Sequence, residues 1–85
     1  MMNSKVSLLS LIIEANEDGF LASCPDIQGA FAEGDTVEEA IFNCIDVVKM
    51  ISAYRADRGE TVGIAEFELV PNSKVAVSFP IGVAA

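Results

Sequence analysis

Asp18-Gly19-Phe20-Leu21-Ala22-Ser23-Cys24-Pro25-Asp26-Ile27-Gln28-Gly29, with Gly34-Asp35-Thr36-Val37-Glu38-Glu39-Ala40 a few residues further on, carries the punctuation from which the fold is read. Asp18-Gly19 is a hairpin turn, because glycine takes positive φ without a steric cost. Phe20 to Cys24 is the return strand. Pro25 removes a backbone donor and Gly29 tolerates unusual dihedrals, so 25–29 interrupts pairing. A short third strand follows at about Ala30 to Glu33. Gly34-Asp35 turns into a helix whose start is marked by a capping box, with Thr36 as N-cap and Glu39 three residues on. Glu38 and Glu39 also suit the positive end of the helix dipole.

Upstream of this stretch, residues 5 to 15 read as one strand with two apolar faces: Val6, Leu8, Ser10 and Ile12 on one, Leu9, Leu11, Ile13 and Ala15 on the other. A half-exposed strand alternates apolar with polar residues. This one therefore lies centrally with both faces covered, or gives one face to an oligomer contact.

Downstream, Val37, Ala40, Ile41, Cys44, Val47, Val48 and Ile51 recur at three- and four-residue steps, the stripe of an amphipathic helix. Glu39, Asn43, Asp46, Lys49, Ala53 and Asp57 fill the opposite face. The pattern ends near Arg58, with Gly59 as a left-handed cap, which makes a helix of about 33 Å. Glu66-Phe67-Glu68-Leu69 alternates as a strand with one wet face, and Val75, Val77 and Phe79 repeat the alternation after a Pro71-Asn72-Ser73 turn. The expectation is a single α+β domain over residues 1–85. Its antiparallel sheet has the order β-β-β-α-β, with an optional extra C-terminal strand, and one long helix packs on one face.

Composition narrows the functional classes. A chain of 85 residues that is 52% apolar is too hydrophobic to be disordered. It is also too small to bury most of its surface alone, so a homo-oligomer, dimer or tetramer, is expected. Five Lys and Arg against thirteen Asp and Glu give a net charge of −8. Such a field repels phosphate backbones and anionic lipid, and it attracts a basic partner. Masking of a cationic protein and simple solubility both account for that balance. No direct nucleic-acid binding by this chain alone is expected.

Lys5 followed by the apolar run 6–13 and by Leu21-Ala22-Ser23-Cys24 imitates a lipoprotein leader, but Glu14, Glu17 and Asp18 stand inside it. No run reaches the eighteen or so apolar residues of a membrane span, and a cytoplasmic protein with no membrane partner is expected. Cys24 and Cys44 lack metal-ligand spacing, and the chain has no His. They read as reduced core thiols, with no metal and no cofactor. The missing His also deprives either thiol of an activating base. Glu14, Asp18, Asp26, Glu33 and Asp35 are numerous enough for a two-metal nuclease site. Turns account for Asp18 and Asp35, however, and no basic or aromatic surface offers to hold a strand. A non-enzyme is expected.

The order of an Asp-Gly-Phe turn, a Pro-Asp/Gly loop, and Gly-Asp-Thr before Glu-Glu-Ala resembles the HicB-like antitoxin family. The likeness covers roughly residues 8 to 60. It implies a partial ribonuclease-H-like fold and a role as the antitoxin of a type II toxin-antitoxin pair. Such an antitoxin neutralises a small basic HicA-type toxin that cleaves messenger RNA. Asp18, Gly19, Pro25, Gly29, Gly34, Asp35, Thr36 and Glu39 carry the resemblance as structural positions. Ala30 departs from the Cys that many members have after the loop glycine. Family members usually append a DNA-binding domain, and residues 60–85 carry no such pattern. The residues expected to contact the toxin are Glu17, Asp26 and Glu33 in loops, with Glu66 and Glu68 on the wet face of their strand. An orphan HicB-like oligomeric scaffold, or a small-ligand-binding module without a toxin, is the alternative.

Overall fold

The computed structural model describes residues 4–60 and 66–84, and its element order is β1(Ser4–Ser7), β2(Ile12–Asn16), β3(Gly19–Ser23), β4(Phe31–Gly34), α1(Val37–Asp57) and β5(Glu66–Leu69). The α+β class and the single long helix are as the sequence indicates. The stretch 5–15 is not one strand. It divides into β1 and β2, which join different sheets: β2-β3-β4 form an antiparallel three-stranded sheet, and β1 and β5 form an antiparallel ribbon.

The register explains the break. Ile12 stands opposite Ser23 and Asn16 opposite Gly19, so extending β2 towards residue 8 would require pairing through Cys24 and Pro25. Pro25 has no N–H to give a ladder, and the chain turns away there. The Cys24 N–H instead donates to the Ala30 carbonyl across the loop at 2.9 Å. Ile27, at the loop's middle, turns inward and is 2% exposed.

The side-chain alternation survives the break. Leu9, Leu11 and Ile13 pack on the core clusters, while Leu8 and Ile12 remain about half exposed. The core between sheet and helix consists of Ala22, Cys24, Ile27, Ala30, Ala40, Ile41, Cys44 and Val48. Small residues dominate it, which lets α1 lie close to the sheet. Ala22, Ala40 and Cys44 are fully buried at the closest approach.

The helix ends are built as their residues dictate. Thr36 Oγ1 accepts from the Glu39 N–H at 3.0 Å, and Glu39 Oε1 reaches back to the Asp35 N–H at 3.1 Å. At the other end Gly59, at φ 73°, sends its N–H to the Ala56 carbonyl, and the Glu60 N–H goes to Arg55. These two bonds make a Schellman closure. Asn43, exposed as the helical pattern implies, also donates from Nδ2 to the Glu33 carbonyl at 2.9 Å, tying α1 to β4. Phe42, Met50 and Tyr54 are exposed on α1.

Ser73 closes the 70–73 turn through its N–H and hydroxyl to the Val70 carbonyl. Beyond it, residues 73–84 run without a ladder, so the optional last strand does not form within the chain. This tail is held to α1 by Phe79 against Phe42, with ring centroids 5.9 Å apart, and by the Gly82 N–H donating to Glu38 Oε1 at 3.2 Å. Among the described residues no helix is long and apolar enough to cross a membrane.

Candidate functional site: the uncovered face of the sheet

Side chains two apart on a strand share a face, so the pairings sort the sheet into rows. Ile13, Ala22 and Ala32, then Ala15, Phe20 and Gly34, form the rows that face α1. The opposite face carries Ile12, Ser23 and Phe31 in one row and Glu14, Leu21 and Glu33 in the next. No element of the described chain covers it.

On this face Ile12 is 49% and Phe31 61% exposed, and Leu21 lies half-buried between the two exposed carboxylates. Glu14 and Glu33 each stand one strand from Leu21, so they are about 10 Å apart across the sheet. That spacing is too wide for the two to hold one small cation together. Among the described residues, no group of three or more His, Cys, Asp or Glu is placed to hold a metal ion. The spacing suits two separate cationic side chains approaching over an apolar floor.

The expected contact residues divide between two bodies. Glu33 sits in the uncovered face. Glu17 lies in the β2–β3 turn at one end of the sheet, beside Asp18, whose N–H donates to Asn16 Oδ1. Asp26 lies in the loop at the other end and is exposed. Of these three, Glu33 alone is placed on the uncovered face by its register. Glu66 and Glu68 lie on β5 in the ribbon, where Glu68 stands opposite Lys5 and Glu66 opposite Ser7. No Cα of the ribbon comes within 8 Å of the sheet or helix elements, so the two β5 carboxylates belong to a different surface.

Glu14 stands on this face although it is not among the residues expected from the sequence to contact a partner. The signal for it was present, since an acidic side chain interrupts an apolar strand at Glu14 and pairs through Leu21 with Glu33. Residues 6–48 contain no Lys or Arg while holding most of the chain's carboxylates. The uncovered face therefore has no internal cation to neutralise it.

A second concavity, of about 350 Å³, lies on the helix side and is separate from this face. Leu9, Leu11, Ile13, Ile41 and Ile45 form its apolar floor, and residues 77–80 of the tail form one wall.

Two relatives are similar to part of the chain. One is an uncharacterized 14.9 kDa protein in the rep-hol intergenic region of Haemophilus phage HP1. It is 39% identical over 41 residues, which is 48% of this chain and 31% of that protein. The other is a UPF0150 protein of Synechocystis sp., 46% identical over 44 residues, 51% of this chain and 61% of that protein. The chain thus spans about a third and about three fifths of the lengths of these curated relatives. No family model matches it, and no solved structure matches it.

Proposed function

We propose that this protein is a HicB-like antitoxin, a non-catalytic cytoplasmic protein that binds and neutralises a small basic HicA-type mRNA-cleaving toxin. The observation that carries the reading is the uncovered sheet face, where Glu14 and Glu33 flank Leu21 beside Ile12 and Phe31 in a region without a single cation. A toxin that grips RNA must present cationic side chains. An apolar patch rimmed by carboxylates is complementary to such a surface in shape of charge and in dryness. The similarity to a UPF0150 protein supports the same reading, because UPF0150 is the HicB-like family.

In this reading Leu21, Ile12 and Phe31 supply the desolvated floor, and Glu14, Glu33, Glu17 and Asp26 capture the partner's cations and block its RNA groove. Attraction of opposite net charges speeds the encounter and is screened within about 10 Å at ordinary salt.

The test is a titration of this chain into the RNA-cleavage reaction of a small basic protein encoded beside it, at low and high salt. Stoichiometric inhibition that weakens with salt is the expected result. Glu14→Lys with Glu33→Lys should weaken inhibition by about 100-fold while leaving the helical circular dichroism unchanged. Full inhibition by that double variant would remove the sheet face from the interface. No inhibition by the parent chain would leave the orphan oligomeric scaffold, which the exposed apolar tail favours.

A further inference from the structure

Hydrogen-bond parity decides which backbone groups the two edges of the three-stranded sheet present. Asn16 and Gly19 flank a two-residue turn, so they face each other as a hydrogen-bonded pair, and bonded and unbonded pairs alternate from there. Ile12 and Glu14 therefore spend their N–H and C=O groups on β3, while Ile13 and Ala15 point theirs away from it. Across β3 the same alternation turns Ala32 and Gly34 inward and Phe31 and Glu33 outward. Two bonds agree with it. The Cys24 N–H donates to the Ala30 carbonyl, and the outward carbonyl of Glu33 accepts from Asn43 Nδ2.

The edges end differently. The β4 edge lies beside α1 and is closed by the Asn43 side chain. The β2 edge has no neighbouring strand. Among the described residues no hydrogen bond reaches the outward groups of Ile13 and Ala15, which leaves them as a template for another strand.

We propose that the β2 edge receives an extended segment of a basic protein, which joins the sheet as a fourth strand. The partner's class rests on the antitoxin reading; the place and the backbone pairing do not. The open groups of Ile13 and Ala15 bond alternate residues of the incoming segment. Glu14, between them, faces a residue in an unbonded pair, where opposite side chains come closest. A Lys or Arg at that position meets a carboxylate that has no ion pair among the described residues. The residues flanking the cation fall on the helix side, next to the concavity of about 350 Å³ that Ile13 helps to floor, and are apolar. Antiparallel pairing with β2 of a second copy brings no cation, since residues 6–48 hold no Lys or Arg.

The probe is the peptide acetyl-Lys-Thr-Val-Lys-Val-Thr-Lys-amide, titrated to millimolar concentration into the isotope-labelled full chain and read in amide correlation spectra. The amide resonances of Ile13 and Ala15 should move most, and exchange of their protons with solvent should slow at least about 10-fold. Ala15→Pro removes one outward donor and leaves the β2–β3 ladder its bonds. Glu14→Lys keeps the backbone and reverses the charge. Each should weaken peptide binding at least about 10-fold with helical circular dichroism intact.

No movement in the parent, movement centred on other strands, or undiminished binding by a folded Ala15→Pro or by Glu14→Lys would overturn the proposal. So would Ile13 and Ala15 amides already protected before peptide is added, the sign of a second copy on the edge. The RNA-cleavage titration separates the two ideas. Inhibition by a parent chain that takes no peptide at β2 keeps the antitoxin reading and removes the edge, and peptide binding at β2 without inhibition does the reverse.

Discussion

Gly34 ends β4 directly beneath the first turn of α1, and the space it leaves is filled by backbone. A Cβ built there would meet the Ala40 nitrogen and lie 2.8 Å from the Glu39 carbonyl carbon. Neither atom yields as the tip of a flexible side chain would. Gly19 is close by, and a Cβ on it would lie 2.6 Å from the Gly34 carbonyl oxygen. The turn residue and the pre-helix residue are thus one close contact between three pieces of chain. Gly34→Ala should destabilise the protein by about 3 kcal/mol or more, seen as a large fall in the midpoint of thermal unfolding. A change within experimental error would show that α1 can lift from the sheet.

Cys44 is the other residue whose surroundings fix its behaviour. It is fully buried, its Sγ points at the Ala30 carbonyl 3.8 Å away, and Cys24 is free and buried as well. Burial, and then the neighbouring Cys24, push its thiol above the ordinary value of 9.0. The folded state holds that proton more tightly than the unfolded chain does. The associated stability is therefore whole below pH 9.0 and drains away as pH rises towards the folded value. Thermal unfolding should begin to fall above that pH, and Cys44→Ala should flatten the fall. A parent curve level to the alkaline limit would contradict this.

Among the elements, α1 was the most legible, because both its ends are written in local chemistry. Thr36 and Glu39 specify the start and Gly59 the end without reference to anything distant. Thr36→Ala should remove about 1 kcal/mol, lowering the unfolding midpoint by several degrees in a domain of this size; an unchanged midpoint would mean the Asp35–Glu39 bond holds the end alone. Strands are less legible, since a ladder belongs to two segments. Periodicity carries through residues 5–15 without interruption, and only the pairing of Ile12 with Ser23 shows that Pro25 must cut the strand. Val75 to Phe79 has a strand's alternation but no partner in the chain. Asn43 sat in the polar half of the helical pattern, yet the Glu33 carbonyl lies within its reach, a fact of tertiary placement. Ile27 looked like part of a surface loop because its neighbours are turn residues.

At the scale of the whole molecule, charge and class were legible and the division of labour was not. A net charge of −8 and 52% apolar residues point to a basic partner and to self-association without saying where either docks. Glu17, Asp26 and Glu33 were singled out as acidic residues near turns, and the structure sets Glu33 in β4. Glu14 was not singled out because its place on the same face comes from register, two strands from Glu33 with Leu21 between. Glu66 and Glu68 joined the same group as the wet face of an alternating strand, and the β1–β5 pairing sets them on a separate ribbon. The sheet face that carries Glu14 and Glu33 is open, and the tail, without a charged residue from 75 on, packs against the helix.

The tail described above also has a cost in the test tube and the cell. Val75-Ala76-Val77-Ser78-Phe79 is β-prone, uncharged and without a ladder partner, the composition from which cross-β stacks are built. Pro80 stands immediately after it as a gatekeeper that cannot extend such a stack. The carboxylates elsewhere supply the second safeguard by colloidal repulsion between copies. Because the isoelectric point is near 4.1, acidification strips that repulsion away and leaves the proline alone to keep the chain from forming fibres.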